Sequence, residues 1–333
     1  MNQAAAGGRS RAAVVALACA GVFVAYLPVT TVSVSLPVLQ RELGASTAQL
    51  SWVQDAFVLP VAALFLTAGI VADVHGRKKV YQAGMALCAV GALVCLGAHS
   101  VQVVWAGQLL AGAGSAALLS VTLALISRVV PNPRERGKYI GWWTTCMMAA
   151  MVVGPLVAGA VVAHTSWRWI FLLPVPVALV TMAFAARFLD GSKAARGRRL
   201  DWPGQVTAAL AIIALVYGVI EGGATSFTEP RTLMALSVAL VSGVAFVLVE
   251  RRSAAPMLDL SLFRSGPFTA AALVALVSFL GLIGFFFVLS LYLGTVRRLD
   301  TWDSGIRLII VNVVSMLLGL VMGRIMARSR PGY

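Results

Sequence analysis

The chain has 333 residues, of which 60% are hydrophobic and only 11% charged, and its formal net charge is +14. A soluble domain has about a quarter of its residues charged, and its core cannot hold such an excess of apolar side chains. The composition therefore excludes an ordinary soluble protein and predicts that a lipid bilayer surrounds the chain. It also excludes nucleic-acid binding, because the basic residues form short clusters between apolar runs instead of one face or tail.

Ten apolar segments are long enough to cross a bilayer as helices, which requires about 20 residues each. In chain order they cover residues 14–36, 50–72, 80–98, 101–127, 139–163, 169–188, 203–220, 232–249, 267–293 and 305–327. Their continuous apolar character predicts helices, since the strands of a membrane barrel alternate apolar and polar residues. We expect the first segment to be a retained span, because it is too long for a signal peptide and lacks a cleavage site. The predicted fold class is an all-α integral membrane protein.

The turns between these segments predict how the chain is oriented. If the N-terminus is cytoplasmic, the inner turns hold 20 of the 26 Lys and Arg residues and the outer turns hold the other six. Basic residues concentrate on the cytoplasmic side of membrane proteins. We therefore expect a multi-pass protein of the bacterial cytoplasmic (inner) membrane, with both termini in the cytoplasm.

Metal binding and catalysis are not expected. The four cysteines lie inside apolar runs, the three histidines lie at turns, and none has a partner at metal-ligand spacing. The sequence also has no nucleophile–base set and no phosphate-binding loop. We predict no metal site, no catalytic residue and no cofactor.

The turn after the second segment reads GIVADVHGRKK. It resembles the loop motif of the major facilitator superfamily, G-x-x-x-D-x-x-G-R-K/R-K/R, through Gly69, Asp73, Gly76, Arg77 and Lys78. The glycines are expected to let the helices and the turn approach closely. The resemblance implies that the aspartate and the arginine form a charge lock that holds one gate state and opens during transport. The alternative is a basic turn that only fixes the orientation.

A second motif lies in the fifth segment, which reads GPLVAG. It is similar to the antiporter motif G-P-x-x-G-G of the family through Gly154, Pro155 and Gly159, with Ala158 at the first of the paired glycines. A proline kinks a helix, and small neighbours allow close packing.

Other segments are similar to the fourteen-span drug:proton antiporter branch of this superfamily, and the chain is identified as a member on these motifs. They are SWRWIFLLPVP, RLDWPGQ, ERRSAAPMLDLSLFR and LSLYL. The resemblance implies the major facilitator fold, with a complete first six-helix bundle, two linker helices and an incomplete second bundle. The domains expected are a cytoplasmic tail (1–13), the first bundle (14–188), a cytoplasmic linker (189–202), two extra helices (203–250), a cytoplasmic loop (251–266), two helices of the second bundle (267–327) and a cytoplasmic end (328–333).

The last residues, GRIMARSRPGY, are similar to a degenerate second copy of the loop motif. Four more spans follow the first copy within its bundle, so this comparison implies that the last four spans of the family are missing. The final two helices would then meet lipid, a second copy of the chain or a complementary polypeptide.

Two family positions carry different residues here. Pro28 stands where the first span of the family has an acid, with Thr30 and Ser33 at its Thr and Asn positions, and Gln108 replaces the arginine of the fourth span. The resemblance implies that the two lost charges serve proton coupling. Their joint loss is expected to leave no stranded charge in the cavity, because a buried charge is costly without a partner.

Asp55 remains as an acid inside the second segment, about one helical turn from its outer end. A carboxylate in a partly desolvated cavity can exchange a proton or attract a cationic drug. The alternative is an interfacial acid hydrated from outside. Thr30, Ser33, Asp55 and Gln108 are therefore the candidate proton or substrate site, and Glu221 in the seventh segment is a weaker candidate.

The function implied by the resemblance is membrane transport. The expected activity is export of an amphipathic or cationic small molecule, such as a drug or antibiotic, by alternating access driven by the proton gradient. The alternative is a truncated membrane protein that does not transport, or one half of a split transporter.

Overall fold

The computed structural model describes residues 2–189, 201–253 and 260–299, with single positions at 256, 258, 303, 306, 307, 310, 313 and 314. All regular elements in this part of the chain are helical. The α-helices are α1 (Asn2–Leu43), α2 (Thr47–His75), α3 (Arg77–Leu96), α4 (Val101–Val129), α5 (Pro133–His164), α6 (Pro174–Phe188), α7 (Trp202–Ala224), α8 (Pro230–Arg252) and α9 (Gly266–Leu291). Two 3₁₀ turns, Trp167–Leu172 and Leu260–Arg264, precede α6 and α9, and a π turn, Tyr292–Val296, follows α9.

The membrane character predicted for the first eight segments is confirmed. Eight described segments are long and apolar enough to span a bilayer, from Arg11–Ser33 to Pro230–Arg252, and α9 adds the shorter apolar stretch Gly266–Ser278. The tenth predicted segment, the degenerate loop motif and the linker over residues 190–200 lie outside the described residues, apart from single positions up to 314. The domain boundaries stay predictions.

Two helices differ from their predicted limits for identifiable reasons. Helix α1 extends beyond residues 14–36 at both ends. At its N-terminal end, the Ala-rich residues favour helix even where they are not apolar enough to span a membrane. The sixth predicted segment is divided into a 3₁₀ turn and α6. Pro174 is the first residue of α6, and a proline suits the first helical position because its missing N–H has no partner there in any helix.

The first six helices form one packed unit. Helix α1 contacts α2, α3, α4, α5 and α6; α4 also packs on α2 and α3; and α3 packs on α6. We call the end of this unit that carries residues 69–79 the motif end, and the other the opposite end. Small residues allow close approach of α3 and α4, since an added Cβ at Gly84 would lie 2.9 Å from the carbonyl oxygen of Gly114.

The opposite end is closed by Trp167 and Arg168, which follow α5. The Trp167 indole is fully buried and its Nε1 donates to Glu42 Oε2 at 2.8 Å, tying this turn to the end of α1. The guanidinium of Arg168 lies 4.8 Å from the Trp167 ring and donates to the Ala98 carbonyl at 2.9 Å. These contacts explain a basic residue in a turn where the charge pattern disfavours one.

Helices α7 and α8 pack together as a hairpin that joins the six-helix unit through α2. Gln205 of α7 donates from Nε2 to the Ala63 carbonyl of α2 at 2.7 Å. Nearer the opposite end, the rings of Trp52 and Tyr217 are 6.0 Å apart. Helix α9 contacts α1, and Gly294 in the π turn faces the Pro37 ring. The hairpin thus shares α2 with the cavity described next.

Candidate functional site

A cavity of about 300 Å³ lies between α1, α2, α4 and α5. This volume is at the lower end of the range for small-molecule sites in proteins. Most of its lining is apolar, including Phe57, Val58 and Leu119. Among the described residues that line it, Asp55 alone carries a formal charge.

The four candidate residues from three different helices all line this one cavity. Thr30 and Ser33 come from α1, Asp55 from α2 and Gln108 from α4. Pro28, at the position where the resemblance implies an acid, lines the same space. The structure therefore brings these side chains together, and their roles in proton or substrate binding stay predictions.

The hydroxyl groups of α1 are engaged in hydrogen bonds along the cavity wall. Ser33 Oγ donates to the Val29 carbonyl at 2.6 Å and lies 2.6 Å from Gln54 Nε2, which donates to it. Thr30 Oγ1 donates to the Ala150 carbonyl of α5 at 3.5 Å. These bonds tie α1 to α2 and α5. Gln54 was missed by the sequence analysis, which offered no pattern to distinguish it from its neighbours.

The α5 wall contributes Met147, Met148 and Met151, which were also not predicted. Met147 and Met151 are four residues apart, so they lie on the same helix face. This spacing could have identified a methionine face, though not its orientation toward α1. Thioether side chains are flexible and polarizable, and they suit a surface that accepts ligands of different shapes.

Asp55 lies about two turns from the start of α2, because the helix begins at Thr47, before the predicted segment 50–72. Its side chain is half-buried and makes no hydrogen bond or ion pair within the described residues. The expectation that the cavity holds no stranded charge is therefore wrong. Among the described residues, the cavity holds one unpaired carboxylate, on α2, whereas Pro28 lies on α1 and Gln108 on α4.

Gln108 is only 2% exposed, and its Oε1 atom accepts no hydrogen bond in the described part of the chain. Pro28 and Gln108 also border a second, smaller cavity of about 20 Å³ between α1, α3, α4 and α6. Glu221, the weaker candidate, lies on α7 and is not among the residues that line either cavity.

The loop motif forms a contact network at the motif end. Arg77 donates from Nη1 to the Ala124 carbonyl of α4 at 2.9 Å and from Nη2 to Asp73 Oδ1 at 3.3 Å. Lys78 Nζ donates to the Ala186 carbonyl of α6 at 2.7 Å. Ala186 lies in the last turn of α6, where carbonyl groups lack helical partners and cations are favourable. Ala124 lies more than one turn before the end of α4. The motif therefore ties α4 and the end of α6 to the α2–α3 turn, and its release during transport stays a prediction.

The motif glycines have different roles from each other. Gly76 separates α2 from α3 with φ 101°, a conformation that favours glycine because it has no Cβ. The expectation of close approach is wrong for Gly69, where an added Cβ would lie 3.9 Å from the nearest atom, the Cβ of Ser120. That separation is an ordinary van der Waals contact.

The antiporter-like motif packs α5 against the cavity wall. An added Cβ at Gly154 would overlap the Thr30 side chain and lie 3.3 Å from the Thr31 backbone nitrogen. Pro155 lines the cavity, and Ala158 and Gly159 are buried behind it. The small residues therefore set the distance between α5 and α1.

Known proteins resemble the chain in both sequence and fold. The Major Facilitator Superfamily model matches residues 18–333. A peptide transporter named POT, solved as a crystal structure in complex with sulfate, superposes with a TM-score of 0.63 at 13% identity and covers 95% of this chain and 69% of its own. At this identity, the likeness to that transporter shows the fold alone.

Several relatives carry names of resistance or efflux proteins. The multidrug resistance protein Stp of Mycobacterium tuberculosis is 32% identical over 312 residues, which cover 92% of this chain and 58% of the relative. The methylenomycin A resistance protein of Streptomyces coelicolor is 32% identical, covering 98% of this chain and 69% of the relative. The multidrug efflux pump LfrA of Mycolicibacterium smegmatis is 30% identical, covering 91% and 60%.

The chain thus spans 58–69% of the length of these three relatives. The family match extends over almost the whole chain, and the helices have the fold of a solved transporter. The chain belongs to the Major Facilitator Superfamily, a family of transporters and not of enzymes.

Proposed function

We propose that this chain exports amphipathic small molecules, including drugs or antibiotics, by alternating access driven by the proton gradient, as a member of the fourteen-span drug exporter branch. The observation that carries the proposal is the cavity of about 300 Å³, where the polar candidates from three helices meet a largely apolar lining. An apolar cavity with a few convergent polar groups is typical of small-molecule sites. The resistance and efflux names of the relatives support the same substrate class.

Asp55 is the proposed proton-exchanging group. It is the charged residue among the described cavity lining, and it has no ion-pair partner in the described chain that would hold it permanently ionised. A carboxylate in such a place can bind a proton from one side of the membrane and release it to the other when the access changes. Charges inside membrane segments are costly and are generally retained for function.

The loop motif is the proposed gate contact. Its bonds from Arg77 and Lys78 end on backbone carbonyls near the ends of α4 and α6. Because these are single hydrogen bonds at one end of the bundle, they can break and reform while the helices stay folded. Rocking of the helices about the cavity would then open one end or the other.

Export is tested by dye accumulation in bacteria that lack their main efflux pumps. Cells expressing the chain are expected to accumulate less ethidium than cells with an empty vector, and a protonophore should remove the difference. Fluorescence of the retained dye gives the measurement, with the amount of membrane-inserted protein checked by immunoblot. Equal accumulation at confirmed expression would contradict the proposal and favour a protein that does not transport.

We also propose the cytoplasmic membrane as location, with the motif end facing the cytoplasm. In a variant whose four cysteines are replaced, Lys78→Cys and Ser226→Cys are tested separately with a membrane-impermeant maleimide. Ser226, in the exposed turn between α7 and α8, should be labelled in intact cells, and position 78 only after the membrane is opened. The reverse pattern would refute the orientation.

A further inference from the structure

One polar side chain in the cavity has hydrogen-bonding capacity that the described protein does not use. The Gln108 side chain is only 2% exposed, yet its Oε1 has no donor among the described residues. Buried polar groups in folded proteins nearly always have a partner, and an unused one is a place to look for a ligand. Gln108 lies on α4, whose close packing on α2 at Gly112 holds it in the cavity wall.

The neighbouring polar groups do not supply the missing donor. Thr30 Oγ1 and Ser33 Oγ donate to backbone carbonyls, and Gln54 donates to Ser33. The Oε1 of Gln108 is therefore a buried acceptor that no described donor uses, on a side chain that lines the cavity. A molecule in the cavity that carries a donor can satisfy it.

A water molecule is the simplest alternative donor. The smaller cavity beside Gln108, at about 20 Å³, has room for one water. A buried water needs two to four polar partners, however, and the described lining of this cavity is largely apolar. Its one hydroxyl, that of Thr31, already donates to the Leu27 carbonyl at 3.0 Å.

We propose that Gln108 is a specificity-determining residue that selects molecules carrying a hydroxyl or N–H donor on an apolar ring system. The donor binds Gln108 Oε1, and the ring lies against the methionine face of α5 formed by Met147, Met148 and Met151. Because the amide is neutral, recognition through its Oε1 depends on a hydrogen-bond donor of the ligand and not on a charge. The inference rests on the proposed function, since it assigns the substrate class of the same cavity.

The reason for strong discrimination is the cost of leaving the amide unpaired. A site built around a hydrogen bond rejects an otherwise identical molecule that cannot form it, because the buried acceptor then loses water without gaining a partner. A purely apolar pocket would distinguish the two molecules only weakly.

The test uses three naphthalenes of one ring system: 1-naphthol, 1-methoxynaphthalene and N,N,N-trimethyl-1-naphthylammonium. Binding to the purified full chain in lipid nanodiscs is measured by fluorescence, with empty nanodiscs subtracted. The wild-type chain is expected to bind 1-naphthol about tenfold more tightly than the methyl ether, in line with one hydrogen bond. The quaternary ammonium has a charge but no hydrogen-bond donor, so we expect it not to bind with the higher affinity of 1-naphthol.

Gln108→Leu should reduce the ratio of the affinity for 1-naphthol to the affinity for the methyl ether to about one. The affinity for the ether itself should change little. The matched control is Gln205→Leu, which also removes a buried glutamine with an unpaired Oε1, but from the contact between α7 and α2. The control should keep the wild-type ratio. If Gln108→Leu does not fold, Gln108→Met tests the same loss, and the wild-type ratio alone already tests the proposal.

Two outcomes would overturn the inference. One is an equal affinity of the wild-type chain for naphthol and ether, including the case in which neither binds above the empty nanodiscs. The other is an unchanged ratio in Gln108→Leu, which would assign Oε1 to an internal water. Neither result would affect the proposed export, because dye accumulation in cells decides that independently.

Discussion

Replacing Gly112 by alanine is expected to destabilise the folded chain strongly, although it adds only one methyl group. The new Cβ would overlap the carbonyl oxygen of Phe57 and lie 3.1 Å from its Cα, so α2 and α4 would have to separate. Overpacking that moves backbone costs about 3 kcal/mol. Thermal unfolding of the purified chain in detergent, followed by tryptophan fluorescence, should show a clearly lower midpoint.

Gly243→Ala is the matched control, since Gly243 also lies within a helix, α8, and has no atom within 4 Å of an added Cβ. Alanine is the better helix former by about 1 kcal/mol, so this variant should be neutral or slightly more stable. Equal unfolding midpoints for the two variants would refute the close packing of α2 on α4. Because Phe57 also lines the cavity, Gly112→Ala is further expected to reduce export.

The second large effect is expected on transport. Asp55→Asn should abolish gradient-driven export and raise dye accumulation to the level of cells with an empty vector. The amide has nearly the shape of the carboxyl group but cannot take up and release a proton, so the cavity and its packing should stay intact. Accumulation is measured with and without a protonophore, at matched expression and at two external pH values.

Glu229→Gln is the control for this change. It removes the same charge from the exposed turn before α8, and no residue of α8 lines the cavity. Export should therefore stay at the wild-type level. If Asp55→Asn still exports in a manner that the protonophore abolishes, the proton role belongs to another group. If it binds dye normally but does not export, substrate binding and energy coupling are carried by different residues.

Much of the fold was predictable because the deciding property is local. Whether a segment such as 50–72 crosses the bilayer depends mainly on its own apolar content, and eight such predictions are confirmed. Helix limits were less predictable. The ends of α1 and the division before Pro174 depend on propensity and on single prolines, which hydropathy averaged over a segment does not register.

The site was predictable only in part. Thr30, Ser33 and Gln108 were identified by their positions in family motifs and Asp55 as an acid inside an apolar segment, and the structure places all four around one cavity. Gln54 and the methionine face lie outside those motifs. Their inclusion depends on how α2 and α5 are rotated about their axes, which comes from side-chain packing between helices.

The sequence by itself determined that this is a helical membrane protein, where its first eight spans lie and which positions depart from the family, since each of these follows from the residues of one segment. Only the tertiary structure decided that, among the described residues, Asp55 has no partner and the Gln108 acceptor has no donor. It also decided that a side chain would fit at Gly69 but not at Gly112. Burial, close approach and hydrogen-bond pairing are relations between residues of different helices. They form only when the helices pack, because each contact depends on the distance between two helices and on how each helix is rotated about its axis.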